Sequence, residues 1–568
     1  MIKKSTPVLN QLIPITGWIK TYKSSWLRWD LLAGITLASF VLPESMAYAT
    51  LAGLPPHFGI YCTLIGGLFF ALFTSSKHIA VGPTSSISLM VGSTVAILSG
   101  GDQQKWMLIA GLAAFVVAII CFVAWALKLS SIVNFISDSI LVGFKAGAAL
   151  SIMSTQLPKL FGLEGTSGHF FKRVGHLIPQ LPDMHWPVFI FGIVALVIMI
   201  AGDHFFPGKP VTLGVVIISI LLISYTGLST MGFHVAGLIP GGLPTPTIPS
   251  LNTDDLEGVV ELAFACFLMG YIETVSAGRT LGLKNNYSID PRQELISMGA
   301  ANLATGFFSG YIVAGGLSQS TVNESSGAKT PLSIIICSIS LAIILIFFTH
   351  LLTNLPEVIL AVIVLHAVTG LIKIKELKRI FQLSKMEFTI AISALIAVLF
   401  LGILKGVILS VVLSLLLIIR KAASPTVAKL GRIEDLDSFS DMERHPDNHL
   451  IPGLVILRIE SSILYFNTND IRQKIMSAVD LGYPDIKEVV LDLSAAPYVD
   501  VAGSTMLCAL AKQLSEKNVA LKLADVRSDV RDILRKQQME EIIGPIQRQA
   551  NLAEVVNAFE KQNQDNLK

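Results

Sequence analysis

Apolar residues occupy the first three-quarters of the chain in blocks separated by short polar breaks, and this pattern stops near residue 425. A helix needs about 20 mainly apolar residues to cross the hydrocarbon core of a bilayer. Clear candidates lie near residues 106–127, 131–157, 187–203, 211–226, 259–278, 332–350, 355–372, 386–403 and 404–420. Shorter or broken ones lie near 33–54, 59–74, 84–99, 293–309 and 318–330. The pattern predicts a polytopic α-helical membrane protein with about fourteen spans.

Beyond that point the period changes. "RIEDLDSFSDMERHPDNHL" reads as a charged linker, assigned to 425–450, and a soluble α/β domain is expected over 451–568. "GLVILRIESSILYF" holds two short β-rich runs, "IKEVVLDLSAAPYVD" reads as a buried strand, and "AGSTMLCALAKQLSEKN" has helical spacing before the strand "VALKLADV". Alternating strands and helices predict an open sheet with covering helices.

Composition agrees with a membrane protein. The 568 residues are 52% hydrophobic and only 14% charged, against about 25% charged in soluble proteins. A net charge of +2 conceals an uneven distribution. If the spans alternate from a cytoplasmic N-terminus, Lys77, Lys128, Lys209, Arg279, Lys284, Arg292, Lys329 and the run "KIKELKRIFQLSK" fall inside, whereas only Lys105, Lys172, Arg173 and Lys405 fall outside. That is the positive-inside bias, and an even number of spans puts both termini in the cytoplasm. Residues 1–30, basic and Trp-bearing, read as a cytoplasmic interfacial segment without signal-peptide order. Five cysteines without a CxxC pair suggest neither disulfides nor a metal site. No nucleotide loop, catalytic triad or nucleic-acid motif stands out, so neither an enzyme nor a cofactor is expected.

Chemistry enters where the apolar blocks are interrupted. "VGPTSSISLM" (81–90) and "GGLSQSTVNE" (315–324) place Gly, Pro and small hydroxyl residues inside the membrane region. Each fits a helix that begins within the bilayer, with Pro83 near a first helical position and Ser318 or Ser320 as N-cap. Two such N-termini facing one centre would offer free N–H groups and positive dipole ends to an anion. Ionisable residues inside spans are costly and therefore functional candidates. Glu44 follows Pro43, which can break its helix. Glu273 lies deep in "FACFLMGYIETVSAGRT", and Lys145 lies at comparable depth in "SILVGFKAGAALSIM". The alternative for each is a charge paired or snorkelling within the bundle.

"LPESMAYATLAGLPPHFGIYCTLIGGLFFALFTSSKHIAVGPTSSISLM", "DPRQELISMGAANLATGFF" and "GGLSQSTVNESSGAKTPLS" resemble the sulfate permease (SulP) family, solute carrier family 26, of bacterial type. "ILYFNTNDIR" and "VVLDLSAAPYVDVAGSTML" resemble its STAS domain. The resemblance implies a transmembrane domain over 31–424, folded as a 7+7 inverted repeat of core and gate domains, in a homodimer at the cell (inner) membrane. It implies secondary active transport of inorganic or small organic anions, with sulfate the foremost substrate. Its anion site falls on Glu44, Tyr48, Thr84, Ser85, Ser318 and Gln319. Glu273, with Glu44, takes the role tied to cation or proton coupling.

Two departures matter. Many animal and plant members carry Gln where this chain has Glu44, and Arg where it has Gln319. The site gains a potential negative charge and lacks a positive one, and Lys145 is a possible charge partner. Low dielectric disfavours an ionised carboxylate, so proton and anion binding are expected to assist each other. Protons, or sodium, are therefore the expected coupling ion. The alternatives are an anion channel, an exchanger of bicarbonate, chloride or dicarboxylate, and a receptor signalling through a cytoplasmic partner of the STAS domain. The last is weakened because Val501 stands where soluble STAS relatives carry a phosphorylated Ser.

Overall fold

The computed structural model describes residues 13–131, 137–166, 168–206, 209–226, 232–237, 239–247, 255–434, 436–482, 485–548 and 550–566. They form two compact units, Met1–Ser414 and Leu415–Lys568.

In the first unit, a single helical turn at Ile15–Trp18 precedes α1 (Leu27–Leu51), α2 (His57–Phe73), α3 (Ser85–Ser99), α4 (Gln103–Ala126) and α5 (Asp138–Phe161). Then come α6 (Phe170–Gln180), α7 (Trp186–Phe205), α8 (Val211–Tyr225), α9 (Leu256–Lys284) and α10 (Pro291–Phe307). The series ends with α11 (Leu317–Ser325), α12 (Leu332–Phe347), α13 (Glu357–Thr369), α14 (Ile374–Leu383), α15 (Lys385–Leu401) and α16 (Ile403–Ala423). Every predicted span has its helix among these. Seven helical stretches within the described residues are long and apolar enough to cross a membrane, and four shorter apolar helices accompany them. The two extra helices, α6 and α14, are amphipathic and occupy matching places, each between the fifth and sixth spans of its half.

The packing repeats with the same symmetry. Helix α12 packs on α1 as α4 packs on α9, and α10 packs on α4 as α2 packs on α12. Helix α15 packs on α5 as α13 packs on α7. Polar contacts at helix starts follow suit. Asp30 of α1 accepts hydrogen bonds from the Lys329 N–H (2.6 Å), the Thr330 N–H (3.1 Å) and the Thr330 hydroxyl (2.7 Å) ahead of α12. In the other half, Asp255 at the start of α9 holds Lys105 of α4 at 3.0 Å. Small residues permit the close approaches: a Cβ on Gly59 of α2 would run into the Ser45 carbonyl of α1, and one on Gly143 of α5 into the Ala391 carbonyl of α15.

Pro43 does not break α1, which continues unbroken to Leu51. The ring removes one donor, leaving the Ser39 carbonyl one turn earlier without its helical partner. The packing of a helix buried along most of its length offsets that loss.

Besides two short strands in the first unit, β1 (Val81–Gly82) and β2 (Ala314–Gly315), the second unit holds a five-stranded sheet in the order β4-β3-β5-β6-β7. These strands are β3 (Val427–Arg432), β4 (Phe439–Asp441), β5 (Leu454–Ile459), β6 (Glu488–Asp492) and β7 (Ala520–Ala524). Strands β5, β6 and β7 are parallel, while β3 pairs antiparallel with both β4 and β5. The segment 425–450, expected as a linker, therefore contributes two strands. Its many charges suit an edge pair, where one side of each strand meets water. Of the two β-rich runs expected in 453–466, only the first is a strand, and the second makes a lone bridge between Ile463 and Val499. Helices α17 (Thr468–Asp480), α18 (Val501–Glu516), α19 (Ser528–Lys536), α20 (Glu540–Ile543) and α21 (Leu552–Asn566) complete the unit. Apolar clusters form on both sheet faces, one around Val455, Leu491 and Leu507, the other around Ile456, Val490 and Val556.

Asp500 caps α18, its Oδ1 accepting from the Gly503 N–H at 2.7 Å and its Oδ2 from the Tyr465 N–H at 2.8 Å. Val501 is exposed where a phosphoacceptor would stand, and Ser504 is fully buried, donating to the Val501 carbonyl at 2.9 Å. The neighbouring hydroxyl cannot substitute for the missing one.

Candidate functional site

Two short strands, β1 (Val81–Gly82) and β2 (Ala314–Gly315), pair antiparallel, Val81 opposite Gly315 and Gly82 opposite Ala314. Each leads within three residues into a helix, β1 into α3 and β2 into α11. Because the strands run in opposite directions, the helices leave the ladder in opposite directions and their N-termini stay near it. The first-turn N–H groups of both helices thus remain available at the centre of the unit.

The local chemistry explains where each helix starts. Pro83 lies one residue outside the helix, and Thr84 is the N-cap in extended conformation with no side-chain cap. At α11 the N-cap is Gly316, also extended, so neither Ser318 nor Ser320 caps. Ser320 instead is buried, donating to the Gly316 carbonyl at 2.6 Å and accepting the Ala80 N–H at 3.0 Å. Ser318 is exposed in the second position of α11. The cap lies two residues before Ser318 and four before Ser320, because Gly316 already supplies the extended backbone a cap requires.

The ladder is braced from α9 and α10. Thr274 accepts the Gly315 N–H at 2.8 Å while donating to the Gly270 carbonyl at 2.7 Å. Asn302 mimics a strand neighbour, accepting from the Val313 N–H at 3.0 Å and donating to the Val313 carbonyl at 2.9 Å. Tyr311 meets Ser88 at 3.0 Å across to α3, and the Tyr311 N–H lies 3.0 Å from the Cys62 sulfur. Sequence reading missed Asn302, Tyr311 and Ser88. Each looks like an ordinary span residue, and only the burial of the ladder gives it a task.

Two carboxylates flank the helix starts. Glu44 is buried; its Oε1 accepts from the Tyr48 hydroxyl at 2.9 Å and its Oε2 from Gln319 Nε2 at 3.2 Å. The same Gln319 nitrogen reaches the Pro83 carbonyl at 3.3 Å, and Gln319 Oε1 is buried without a partner among the described residues. Glu44, Tyr48 and Gln319 therefore form one hydrogen-bonded group, and Ser85, buried at the start of α3, makes no hydrogen bond to it among the described residues.

Glu273 on α9 forms the second. Ser86 donates to its Oε1 at 3.2 Å. Thr84 and Ser86 are themselves 3.4 Å apart. Lys145 lies on α5, and no ion pair joins either Glu44 or Glu273 to a cation among the described residues. Ser318 makes no hydrogen bond to either group among the described residues. Below Glu273, Ser276, Arg279 and Thr280 are exposed on the same side of α9, a polar stripe at helical spacing.

Two further buried carboxylates were not foreseen. Asp30 is described above, and Glu294 of α10 accepts from the Thr74 hydroxyl at 3.0 Å, the Ser75 N–H at 2.8 Å and the Ser75 hydroxyl at 2.7 Å. Both are saturated by backbone and hydroxyl donors, which marks them as clamps between distant segments. No group of His, Cys, Asp and Glu fit to hold a metal ion occurs among the described residues.

Comparison with known proteins agrees in fold and class. Residues 27–394 match the sulfate permease family and residues 445–554 the STAS domain. A probable sulfate transporter of Mycobacterium tuberculosis is 28% identical over 551 residues, covering 96% of this chain and 98% of its own. Sulfate transporter 4.1, chloroplastic, of Arabidopsis thaliana is 29% identical over 557 residues, 94% of this chain and 81% of that protein. Among solved structures, the murine solute carrier 26 family member A9 anion transporter in the inward-facing state superposes with a TM-score of 0.88 at 20% identity, over 99% of this chain and 96% of that one. The transmembrane domain of the cyanobacterial bicarbonate transporter BicA gives a TM-score of 0.60 at 20% identity, over 70% of this chain and 98% of that one.

Proposed function

The chain belongs to the sulfate permease family and is a multi-pass membrane anion transporter, and from this premise we propose that it accumulates sulfate by proton-coupled symport. Sulfate is favoured because the similar proteins of Mycobacterium tuberculosis and Arabidopsis thaliana are sulfate transporters, the former a probable one. The coupling rests on one observation: Glu44 faces Gln319, a neutral amide, at 3.2 Å.

An anion drawn to the two helix N-termini meets Glu44 beside it. Ionised, Glu44 repels that anion; neutral, it offers an O–H donor. Gln319 can serve both forms, since its NH2 donates to a carboxylate and its oxygen, after a half-turn of the amide, accepts from a carboxylic acid. Binding of the anion therefore favours uptake of a proton, and the reverse follows by linkage.

Glu273 and Lys145 extend the argument. Glu273 belongs to the helices around the ladder, whereas Lys145 lies on α5, in the group packed with α13 and α15. If the first group slides against the second, as alternating access requires, Lys145 approaches Glu273 on one side only. A nearby cation favours release of the proton there. The positive bias supports a cytoplasmic location for both termini, and a homodimer in the inner membrane with domains at 31–424 and 451–568 is part of the same reading.

The test uses purified protein in liposomes and uptake of labelled sulfate, bicarbonate and fumarate, each with and without an inward proton gradient. Sulfate should accumulate above equilibrium only with the gradient. Equal uptake with and without it, for all three anions, would remove the coupling.

A further inference from the structure

A cavity of about 760 Å³ lies at one end of the membrane unit, away from the helix starts that form the anion site. Its lining joins the N-terminal segment (Trp18, Trp26), the ends of α2 and α4 (Lys77, Trp125), the start of α10 (Arg292) and the turn before α12 (Lys329). Three cations thus border it against one carboxylate, Asp290, which accepts the Arg292 backbone N–H at 2.9 Å.

None of the three cations forms an ion pair among the described residues. Arg292 lies over the Trp125 ring at 5.2 Å and Lys77 over the Tyr287 ring at 5.5 Å, so both charges are held by aromatic faces. Arg292 Nε and Trp18 Nε1 are buried donors with no hydrogen-bond partner among the described residues. A buried donor without an acceptor is unusual in a folded protein. Those two atoms are sealed from the cavity, so what opens onto it is the charge of three cations that no ion pair balances.

We propose that this cavity binds the phosphate group of an anionic membrane lipid. The phosphate supplies acceptors and opposite charge for Lys77, Arg292 and Lys329. Its source is lipid because three Trp rings surround the cavity, and Trp concentrates at headgroup depth. The cations lie on the side that the positive bias assigns to the cytoplasm, where basic pockets between spans hold anionic headgroups. The volume falls in the usual range of ligand sites, about 300–1,000 Å³.

The test compares the full-length protein in detergent with added phosphatidylglycerol, phosphatidylcholine or inorganic phosphate, by native mass spectrometry and thermal stability. Phosphatidylglycerol should remain bound and raise the unfolding temperature, and the other two should not. Arg292→Gln and Lys77→Gln should each weaken that binding roughly fivefold, while Lys405→Gln, on α16 outside the cavity, leaves it unchanged. If Arg292→Gln fails to fold, Lys77→Gln and Lys329→Gln decide. Equal retention of both lipids, equal loss in Lys405→Gln, or stabilisation by inorganic phosphate alone would overturn the proposal.

Discussion

Gln319 and Glu44, 275 residues apart, meet at 3.2 Å between the starts of two helices, and the amide nitrogen that touches the carboxylate also touches the Pro83 carbonyl. The contact ties α1, α3 and α11 together through one side chain. Replacing that amide with a fixed charge tests its role. In Gln319→Arg, the guanidinium balances Glu44 in place of the proton, so sulfate affinity should vary less with pH and rise at the alkaline end. Affinities from about pH 5.5 to 8.5 in both proteins would reveal this. Parallel profiles would mean that Glu44 and Gln319 do not act on the same anion.

Lys145 and Glu273 should behave as a coupled pair. Glu273→Gln is expected to abolish gradient-driven accumulation while leaving the folded protein intact. Lys145→Met should shift the pH profile of sulfate uptake in the parent but have no further effect in Glu273→Gln. A double-mutant cycle in proteoliposomes measures the interaction. Additive effects would place Lys145 outside the coupling.

Asn302 is a structural prediction. Its side chain satisfies both backbone groups of Val313, and Asn302→Ala leaves them buried and unpaired. The cost should be about 1–3 kcal/mol for each orphaned group, visible as a lower unfolding temperature in detergent. Sulfate affinity should fall too, because Val313 leads directly into β2. Unchanged stability would mean that water replaces the side chain.

The position of the STAS sheet changes where the chain can be cut. Ending the chain after Ala423 should leave a membrane unit that binds sulfate, since every candidate site residue lies earlier. Ending it after Phe439 keeps β3 but removes β5, exposing an unpaired strand edge that invites aggregation. Size-exclusion profiles and binding assays of the two truncations would distinguish these outcomes. Loss of binding in a monodisperse Ala423 truncation would contradict the separation of roles.

The membrane helices were legible because a bilayer imposes a length on apolar segments, and even the short ones at 84–99 and 318–330 stood out through their polar edges. Strands β1 and β2 were not legible, since two residues cannot show alternation. Strand β3 was hidden because "VAKLGR" puts Lys429 and Arg432 on opposite faces, which breaks the alternation, and sits in a charged segment. At the site, Glu44 and Glu273 announced themselves by being ionisable in apolar surroundings. Glu294 and Asp30 did not, because "DPRQE" and "RWD" read as interfacial charge; only the fold brings Thr74 to Glu294, 220 positions away.

The central claim, that a proton travels with the anion, is tested most directly without imposing a proton gradient. Proteoliposomes loaded with a pH-sensitive dye are given external labelled sulfate, and internal pH and uptake are recorded together. The account predicts internal acidification that keeps pace with sulfate entry, lost in Glu44→Gln and in Glu273→Gln. Sulfate entry at an unchanged internal pH would contradict it.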